Sequence, residues 1–586
     1  MYKRQLKYSS WGGDTGTFTT YPVVKRARSI PEFNRVEIGI GQEGGSITSD
    51  WRTAVVYGGY GAVLQLDADG DGIFDPNVDL TVPTALLFKS TDGGQSWRWL
   101  GDWLLNGVPQ YCDVAANGWE NALYDNTVEV NPVNPEDVVV GGNANYTGLW
   151  PDPVQNPVRL LEIPWTGTVF RSQDGGAAWV DTTPVCLEYV RDDKKEPVGG
   201  LPLYRCARQS PRKATHPDTH SAAFDWANRR FYVTNDGGIY ECTVTGDGTD
   251  GANDYHWRDV NGNSGTLQVF LFGSHPTDPD QIVVGMQDNS NAYWDGTTWE
   301  AWDWNMSDGT VARFDPRVPR HVYIGCQYSV ARHDHGGGST ADGWKVLFDG
   351  SIGRGDSFPF VVIFAIDPIA TNVVYVGSLT GVYRSKDRGN RWSDRLNVNP
   401  TDGQVTAVAV SPKNPRYVWA GTSTGHVYLF DTKKGDVSDR TGNHLPNRWI
   451  SAIVPSERSV DQATIAFSGY DANSADVENG GNGNTGRVFR TADRGTTWKD
   501  VSGNLVEGEG LDVPASALVQ DSQDPDRMWL GTDYGVFTTK NGGRRWTSAR
   551  GNMPMVSVTA LELNERTGYL VCGTFGRGVW RVPYRR

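Results

Sequence analysis

The chain repeats one short phrase five times, and this repetition constrains its fold more than any other feature. The phrase reads Ser/Thr-x-Asp-x-Gly-x-x-Trp, with Asn541 in place of Asp in the last copy. Within a tight turn the hydroxyl and the carboxylate bond to backbone N–H groups, the glycine permits a positive φ, and the tryptophan packs back as an apolar anchor. Each copy therefore predicts the tip of a β-hairpin. The copies are Ser90 to Trp97, Ser172 to Trp179, Ser385 to Trp392, Thr491 to Trp498 and Thr539 to Trp546.

A second phrase precedes most of these hairpins: an alternating apolar strand, a proline-containing turn and a strand that usually ends in glycine. Short strands that start roughly forty to fifty residues apart are typical of four-stranded propeller blades. The 70 Gly and 31 Pro among 586 residues supply the turns that an all-β repeat protein needs. The copies are residues 128–141, 222–235, 272–285, 311–325, 364–377, 405–421, 517–531 and 558–573.

The repeats predict an all-β fold, a β-propeller of four-stranded blades with about ten blades in one ring. This number includes two degenerate units at 36–66 and 450–468. The alternative is two tandem seven-bladed rings, for which the chain looks short. The last phrase, from Gly573 to Trp580, predicts a closing strand that pairs with N-terminal sequence and so removes a free sheet edge.

Charge and hydropathy exclude two classes of partner. The formal net charge is −15 and there is no long basic run, so a nucleic-acid partner is not expected. No apolar stretch approaches twenty residues, so no membrane span is expected. We expect a monomer.

The first five residues resemble translated sequencing adapter, a scar found at the ends of metagenomic contigs. We therefore assign residues 1–5 to an artefact and 6–586 to the propeller, and we expect the natural N-terminus, with any signal peptide, to be missing. Six cysteines without metal-type spacing favour an oxidising compartment, and hence a secreted or cell-surface protein. Cys186 and Cys206 bracket a charged insertion, 186–206, that a disulfide would staple.

An acidic loop at 67–79 predicts a structural calcium site. Carboxylates at alternate positions, a glycine for the sharp turn and a further carboxylate suit a hard cation that takes oxygen ligands. The twelfth position is Val78 rather than an acid, and no flanking helices are expected. A solvated acidic turn is the alternative. The expected Ca²⁺ ligands are Asp67, Asp69, Asp71 and Asp75.

The block from His216 to Asp308 contains the densest set of candidate functional residues. In His216-Pro217-Asp218-Thr219-His220 the polar side chains alternate, so in an extended segment they point to one face. Asp236, Asp288 and Asp308 lie next to strands predicted to be innermost in successive blades. We expect all six side chains to converge in one pocket. The alternative is that the aspartates cap turns by bonding to backbone amides. His333 and His335, which suggest a metal site, are better explained as a degenerate hairpin tip.

The repeated tips resemble the Asp-box, the bacterial neuraminidase-type repeat found in sialidases, xyloglucan-cleaving hydrolases and sortilin. In addition, H-x-D-x-H, N-D-G-G, Q-D-N and a later Ser-Asp-Gly occur here in the order seen in secreted bacterial propellers labelled glycosyl hydrolase or sortilin-like. This second resemblance covers roughly residues 120–330. It implies the architecture more securely than a reaction.

Glycoside hydrolysis on a polysaccharide is the favoured function, because it needs paired carboxylates and aromatic platforms. A non-catalytic, sortilin-like propeller that binds protein or carbohydrate is one alternative. A metal-dependent polysaccharide lyase, with His216 and His220 as ligands, is another. A true sialidase is disfavoured because Ser29 interrupts the Arg-Ile-Pro signature. The catalytic candidates are Asp218, Asp236, Asp288 and Asp308, and the substrate-binding candidates are His216, His220, Trp294, Trp302 and Trp304.

Overall fold

The structure is a computed structural model, and it divides the chain into two compact units, Met1–Ser264 and Gly265–Arg586. It describes strand backbone at 6–8, 19–21, 36–41, 55–66, 148–151 and 158–162. The other described residues are 80–92, 96–100, 127–144, 166–183, 186–191, 203–209, 215–225, 227, 229–250, 253–262, 264–302, 307–338, 343–352, 356–392, 394–442, 445–470, 486–506, 513–549 and 551–584.

Unit 1 is built from strands. Three of its sheets have the meander order of a propeller blade, β3 to β6, β7-β8-β11-β12 and β15 to β18, and a fourth has the order β13-β14-β10-β9. The strands are β1 (Leu6–Tyr8), β2 (Thr19–Tyr21), β3 (Val36–Gly41), β4 (Val55–Leu66), β5 (Leu80–Ser90), β6 (Arg98–Trp99), β7 (Thr127–Val130), β8 (Val138–Ala144), β9 (Gly148–Pro151), β10 (Val158–Glu162), β11 (Thr166–Ser172), β12 (Val180–Asp181), β13 (Cys186–Arg191), β14 (Leu203–Gln209), β15 (Ser221–Asp225), β16 (Arg230–Asn235), β17 (Gly238–Val244) and β18 (Tyr255–Asp259).

Unit 2 contains six four-stranded antiparallel sheets in sequence order, followed by a three-stranded one. Two short 3-10 helices, Pro400–Asp402 and Gly503–Leu505, lie between strands. The first sheets contain β19 (Val269–Ser274), β20 (Ile282–Met286), β21 (Asn291–Trp294), β22 (Trp299–Trp302); β23 (Ala312–Phe314), β24 (Val322–Ile324), β25 (Ser329–His333), β26 (Trp344–Asp349); and β27 (Ile363–Ile366), β28 (Val374–Gly377), β29 (Gly381–Ser385), β30 (Asp394–Asn397).

The remaining sheets of unit 2 follow the same plan. They contain β31 (Val405–Val410), β32 (Tyr417–Thr422), β33 (Val427–Asp431), β34 (Asp436–Asp439); β35 (Ile450–Pro455), β36 (Ala463–Phe467), β37 (Val488–Thr491), β38 (Lys499–Asp500); β39 (Ala515–Gln520), β40 (Met528–Thr532), β41 (Gly535–Thr539), β42 (Thr547–Ser548); and β43 (Val558–Asn564), β44 (Tyr569–Thr574), β45 (Val579–Pro583).

The core of unit 2 lies between its sheets, where each sheet packs face to face on the next. The last sheet packs on the first, so that the seven sheets close on themselves. The strands alternate apolar side chains toward each neighbour, as stacked blades require. Residues that share a cluster across each junction are Val283 with Ala312, Tyr323 with Phe364, Tyr375 with Val418, Trp419 with Ile465, Ala466 with Leu530, Trp529 with Leu570 and Val571 with Val284.

Hydroxyl groups at β-bulges tie neighbouring first strands together. Each bulge adds a residue near the start of a first strand of unit 2. Thr406 Oγ1 donates to the carbonyl of Ile450 at 2.7 Å, one sheet further on. Thr559 Oγ1, in the last sheet, donates to the carbonyl of Val269 in the first at 2.6 Å. Closure of unit 2 therefore uses the same bond as an ordinary junction.

The glycine at the end of the second strand is required by close packing. A Cβ on Gly421 would lie 2.6 Å from Ile450 Cγ2, and one on Gly531 would lie 2.7 Å from Val558 Cγ1. Both neighbours belong to the first strand of the following sheet. The repeated glycine thus allows a β-branched residue of the next sheet to pack against backbone.

The five repeated tips join the third and fourth strands, and the four tips that are described in full share one hydrogen-bond pattern. Ser172 Oγ donates to Asp174 Oδ1 at 2.8 Å and accepts from the backbone N–H of Gly176 at 2.8 Å. Asp174 Oδ1 in turn accepts from the N–H of Ala178 at 2.9 Å. The last tip keeps the pattern with an amide, because Asn541 Oδ1 accepts from the N–H of Arg545 at 3.0 Å. The predicted bonds from side chain to backbone in these tips are confirmed.

The tryptophans of the tips differ from the prediction in their burial. Trp546 is buried, whereas Trp97, Trp179, Trp392 and Trp498 are half-buried. Trp179, Trp392 and Trp498 pack against core clusters while part of each side chain stays accessible. The expectation that all five are buried is wrong for these four residues.

The connectivity gives every antiparallel sheet two different edges. One edge has the turns that join the first strand to the second and the third strand to the fourth, and we call it the tip edge. The loop edge has the turns joining second to third strands and the segments that lead into first strands.

The His333 segment is a tip: His333 Nδ1 accepts from the N–H of His335 at 3.2 Å and of Gly337 at 2.9 Å, in the place of the usual hydroxyl.

The predicted all-β propeller of four-stranded blades is confirmed by these sheets. A single ring of about ten blades is not confirmed, because seven sheets already close within unit 2. The closing strand was predicted to pair with N-terminal sequence. In the described residues β45 pairs with β44 in its own sheet, and β43 closes on β19. A pairing of the closing strand with N-terminal sequence stays a prediction.

The two ends of the predicted insertion 186–206 lie on β13 and β14, which pair with each other, and the two cysteines are out of register in that pair. In the β13–β14 pair, Cys186 lies opposite Gln209, and Cys206 lies opposite Tyr189. Three residues of strand separate the two positions by roughly 10 Å, and a disulfide needs Cα atoms within about 7 Å. The suggested disulfide is therefore a poor fit. Cys242, Cys326 and Cys572 are buried.

Among the described residues, no helix is long and apolar enough to cross a membrane.

Candidate functional site

In unit 1 the candidate site lies at the loop edge of the β15–β18 sheet. The segment leading into β15 is held at alternate positions by buried threonines: Thr215 bridges to Gly167, and Thr219 packs against Gly141. His216, Asp218 and His220 alternate with them and are half-buried. The alternation predicted from the sequence is therefore present, and it leaves the three polar side chains partly accessible.

The turn between β16 and β17 brings Asp236 to this segment. His220 Nε2 lies 2.7 Å from Asp236 Oδ1, with both side chains partly exposed. The backbone N–H of His220 donates to the carbonyl of Thr234 at 2.8 Å, which extends the β15–β16 pairing up to the histidine. Asn235 Nδ2 donates to the carbonyl of His216 at 2.9 Å. The turn and the segment are thus fixed to each other by backbone as well as side-chain bonds.

Two carboxylates meet here. A carboxylate oxygen of Asp218 lies within 4.8 Å of one of Asp236. Asp218 has a φ of 64°, a left-handed conformation that a non-glycine residue adopts at some cost. His216 packs over Gly237, where a Cβ would lie 2.4 Å from His216 Cβ. The first glycine after Asp236 therefore makes room for His216.

In unit 2 the predicted residues Asp288 and Asp308 also meet at a loop edge, but in a structural role. Asp308 is buried, its Oδ1 accepts from the backbone N–H of Asp288 at 2.9 Å, and its Oδ2 accepts from Gln327 Nε2. Asp288 has a φ of 59° in the β20–β21 turn. Asp308 thus behaves as the turn-capping alternative described for it. The convergence of all six candidates involves both units and stays a prediction.

The predicted tryptophan platforms are not equivalent. Trp302 is 2% exposed and stacks on Tyr293 with ring centroids 4.6 Å apart, so it packs in the core and offers no open face to a sugar. Trp294 is half-buried, and its ring lies 5.4 Å from that of Trp299, which is 41% exposed. Trp304 lies outside the described residues.

Two places were predicted to bind a metal ion. Asp67, Asp69, Asp71 and Asp75 lie outside the described residues, so the calcium loop stays a prediction. At the unit 1 site, the oxygens of Asp218 and Asp236 and the nitrogen of His220 are donors that a divalent cation accepts. The lyase alternative therefore keeps its chemical basis.

Comparison with known proteins gives no family. No family model matches the chain, and no curated protein does. Among solved structures it is similar to YCF48 from Cyanidioschyzon merolae, with 15% identity, a TM-score of 0.40, and coverage of 55% of this chain and 96% of that chain. It is also similar to YCF48 bound to D1 peptide, with 12% identity, a TM-score of 0.40, and coverage of 55% and 93%. Neither similarity bears on the activity of this chain, and membership of the Asp-box and sortilin-like families stays a prediction.

Two features of interest were not found from the sequence. Burial raises the pKa of Glu129, on β7, to about 7, a value suited to acid–base chemistry. Several aromatic side chains at the loop edge of unit 2 are exposed. The sequence signal for these was available: an aromatic residue one to three positions after the strand-ending glycine or threonine, as at Tyr328, Tyr534 and Phe575.

Proposed function

We propose that this chain is a glycan-active propeller that hydrolyses glycosidic bonds through Asp218 and Asp236. The observation that carries the proposal is the spacing of the two carboxylates, whose closest oxygens lie within 4.8 Å of each other. Retaining glycosidases place their two carboxyl groups about 5–5.5 Å apart, whereas inverting enzymes need about 6.5–9.5 Å to admit a water molecule. The spacing therefore favours retention.

Asp236 is the better candidate for the nucleophile. When His220 Nε2 carries a proton, it donates to Asp236 Oδ1 at 2.7 Å, which orients the carboxylate. Asp236 would attack the anomeric carbon and form a glycosyl ester, while protonated Asp218 would give its proton to the departing oxygen. Asp218 would then take a proton from a water molecule as the water oxygen attacks the anomeric carbon. This attack would break the ester bond to Asp236 and release its carboxylate.

A polysaccharide is the substrate that this arrangement suits best. Both carboxylates are half-buried at a loop edge rather than enclosed in the core, so the middle of a long chain has access to them. An extracellular location, expected from the sequence, would bring the protein to such polymers. His216, packed over Gly237 beside the pair, is the candidate substrate-binding residue here.

A non-catalytic binding propeller is the second candidate, and the role of Asp308 favours it. That carboxylate caps the Asp288 turn and binds Gln327, so one of the four predicted catalytic aspartates already has a structural task. If Asp218 and Asp236 likewise only shape their segment, the protein would bind a glycan without cleaving it.

Release of reducing ends from xylan, xyloglucan, β-glucan, galactomannan and bacterial exopolysaccharides tests the proposal. Asp218→Asn and Asp236→Asn should each lower the rate about 10²–10⁴-fold, with an unchanged unfolding midpoint. Asp259→Asn is the matched control, since Asp259 is an exposed turn-capping residue of the same sheet. No cleavage by the unaltered protein, or full activity in both Asn variants, refutes the proposal. Activity that chelation abolishes and a divalent cation restores would favour the metal-dependent lyase.

A further inference from the structure

Apart from Trp299 on the outer strand β22, the exposed aromatic side chains in the described part of unit 2 lie at the loop edge of its sheets. They are accompanied there by Leu379 and Met555, whereas the exposed valines Val346 and Val437 lie on outer strands. Solvent-exposed aromatic groups confined to one face commonly mark a binding surface. The aromatic residues, all in turns after second strands or in segments leading into first strands, are Tyr328, Phe360, Trp449, Tyr470, Tyr534 and Phe575.

Four rings from four different sheets form one cluster at this edge. The centroid of Phe270 lies 6.2 Å from that of Phe360 and 5.9 Å from that of Phe575. Tyr328 meets Phe360 edge-on at 5.7 Å. Phe360 and Phe575 are each 37% exposed and Tyr328 is 42% exposed. We call these residues the four-ring cluster. Its members touch one another and still present ring surface to solvent.

Phe270 breaks the pattern of the first strands. It stands at the bulge of β19, where the corresponding bulges have Thr406, Ser451 and Thr559. Those hydroxyls bond to a carbonyl of the next first strand, as Ser451 does to Ala515 at 2.5 Å. Phe270 cannot make this bond. With phenylalanine at this position, the hydrogen bond between neighbouring first strands is missing, and the ring lies at the centre of the four-ring cluster instead.

The surroundings of the cluster favour a sugar over an apolar peptide. Arg577 is exposed next to Phe575, and the hydroxyl of Tyr328 belongs to the cluster itself. At the same edge, Asp533 accepts from the hydroxyls of Tyr470 at 2.8 Å and Ser557 at 2.9 Å. Aromatic faces interrupted by hydrogen-bonding groups suit a ligand with an apolar C–H face and a hydroxylated rim. Pyranose rings have that form.

We infer that the four-ring cluster is a binding site for a neutral pyranose chain, which stacks on Phe360, Phe575 and Tyr328. The inference rests on the proposed function for its choice of a glycan. It concerns residues of unit 2 that take no part in the Asp218–Asp236 chemistry. Such a site would hold polysaccharide without cleaving it.

Calorimetric titration of the full-length protein with cellohexaose, xylohexaose and mannohexaose tests the inference. At least one should bind. Phe360→Ala and Phe575→Ala should each raise its Kd about tenfold, the loss expected for one aromatic stacking contact. Phe360→Tyr, which keeps the ring, should stay within about twofold. Val437→Ala, at an exposed valine on the outer strand β34, is the control. Tyr328→Ala, in the most exposed ring of the cluster, provides a second test if a phenylalanine variant is unstable.

The outcomes separate this site from the proposed catalytic pair. If the Asp236→Asn variant binds a hexasaccharide, and adding Phe360→Ala to it weakens that binding, the result supports the four-ring cluster as the binding site. This holds even if the protein cleaves no polysaccharide. If Asp236→Asn abolishes binding and the aromatic variants leave it unchanged, the glycan binds at the Asp218–Asp236 site. That result overturns the inference. Failure of all three hexasaccharides to bind at millimolar concentration overturns it as well.

Discussion

The two edges of the sheets differ in how far they repeat. At the tip edge, Ser385 and Asp387 make the same bonds as Thr491 and Asp493, although the two tips lie in different sheets. At the loop edge the sheets differ: in unit 1 the turn between β16 and β17 has Asp236 against His220, whereas in unit 2 the turn between β40 and β41 has an exposed Tyr534. Repetition indicates groups that maintain the fold, whereas departures from the repeat indicate where the chain interacts with other molecules.

The difference has a simple physical origin. Within a tip the hydroxyl, the carboxylate and the backbone amides of one turn bond to one another. The indole adds a bond to the preceding sheet, as Trp498 does to the carbonyl of Arg440. A loop-edge turn packs against the segment leading into a first strand, as Asp308 does against Asp288. Side chains there are free to vary as long as the glycine-lined junction below them is kept.

The largest effect on stability should come from adding a side chain where the glycine that ends a second strand packs against the first strand of the next sheet. Gly531→Ala would place a Cβ 2.7 Å from Val558 Cγ1 and 3.1 Å from the Val558 carbonyl oxygen. We expect a loss of about 2–3 kcal/mol of unfolding free energy, typical of overpacking. Gly338→Ala is the control at the tip edge, because its Cβ would meet nothing within 4 Å. Chemical denaturation measures both. Equal losses would show that junction packing does not distinguish the edges.

A smaller effect is expected from removing a tip carboxylate. Asp387→Ala leaves the N–H of Arg391 and the hydroxyl of Ser385 without this acceptor. The unfolding free energy should fall by about 1–2 kcal/mol, while activity per folded molecule stays unchanged. Asp387→Asn, which reproduces the tip around Asn541, should lose less. A tip variant that folds normally and has lost activity would contradict the separation of the two edges.

The smallest effect concerns acid. The backbone N–H of Thr497, and then its hydroxyl, lower the pKa of Asp493 in the folded protein. Folding thus favours the charged carboxylate of Asp493. Its contribution to the free energy of unfolding is present above the unfolded pKa of about 3.9 and is lost as pH falls through the pKa of the folded protein. Asp493→Asn, like the natural Asn541 tip, cannot titrate. Its unfolding midpoint in urea should therefore decline less than that of the unaltered protein between pH 5 and pH 3. Parallel declines would assign the acid sensitivity to other groups.

The sequence was sufficient for the tip edge because the relevant contacts are local. The hydroxyl, the carboxylate and the glycine of Ser172 to Trp179 bond to one another within a single turn. The same reasoning succeeded for His333, which accepts the N–H bonds that a serine hydroxyl accepts elsewhere. The alternation of buried and half-buried residues along the His216 segment was also readable, although Asp218 departs from extended backbone with a φ of 64°.

The loop edge was harder to predict because its contacts are distant in sequence. Nothing near Trp302 in the chain shows that Tyr293 and Trp344 enclose it. Gln327 lies nineteen positions after Asp308, and only the folded sheets bring its amide to that carboxylate. The misfit of Cys186 with Cys206 likewise depends on strand register, which spacing alone does not give. The number of sheets that close together was not readable from a repeat count.

The central claim is that Asp218 and Asp236 act as a retaining catalytic pair. Proton NMR of the first product released from a cleaved polysaccharide tests it most directly, because the anomeric configuration is visible before mutarotation. We expect a product with the configuration of the bond that was broken. A product of opposite configuration would contradict it, because carboxylates whose oxygens lie within 4.8 Å leave no room for the attacking water of an inverting reaction.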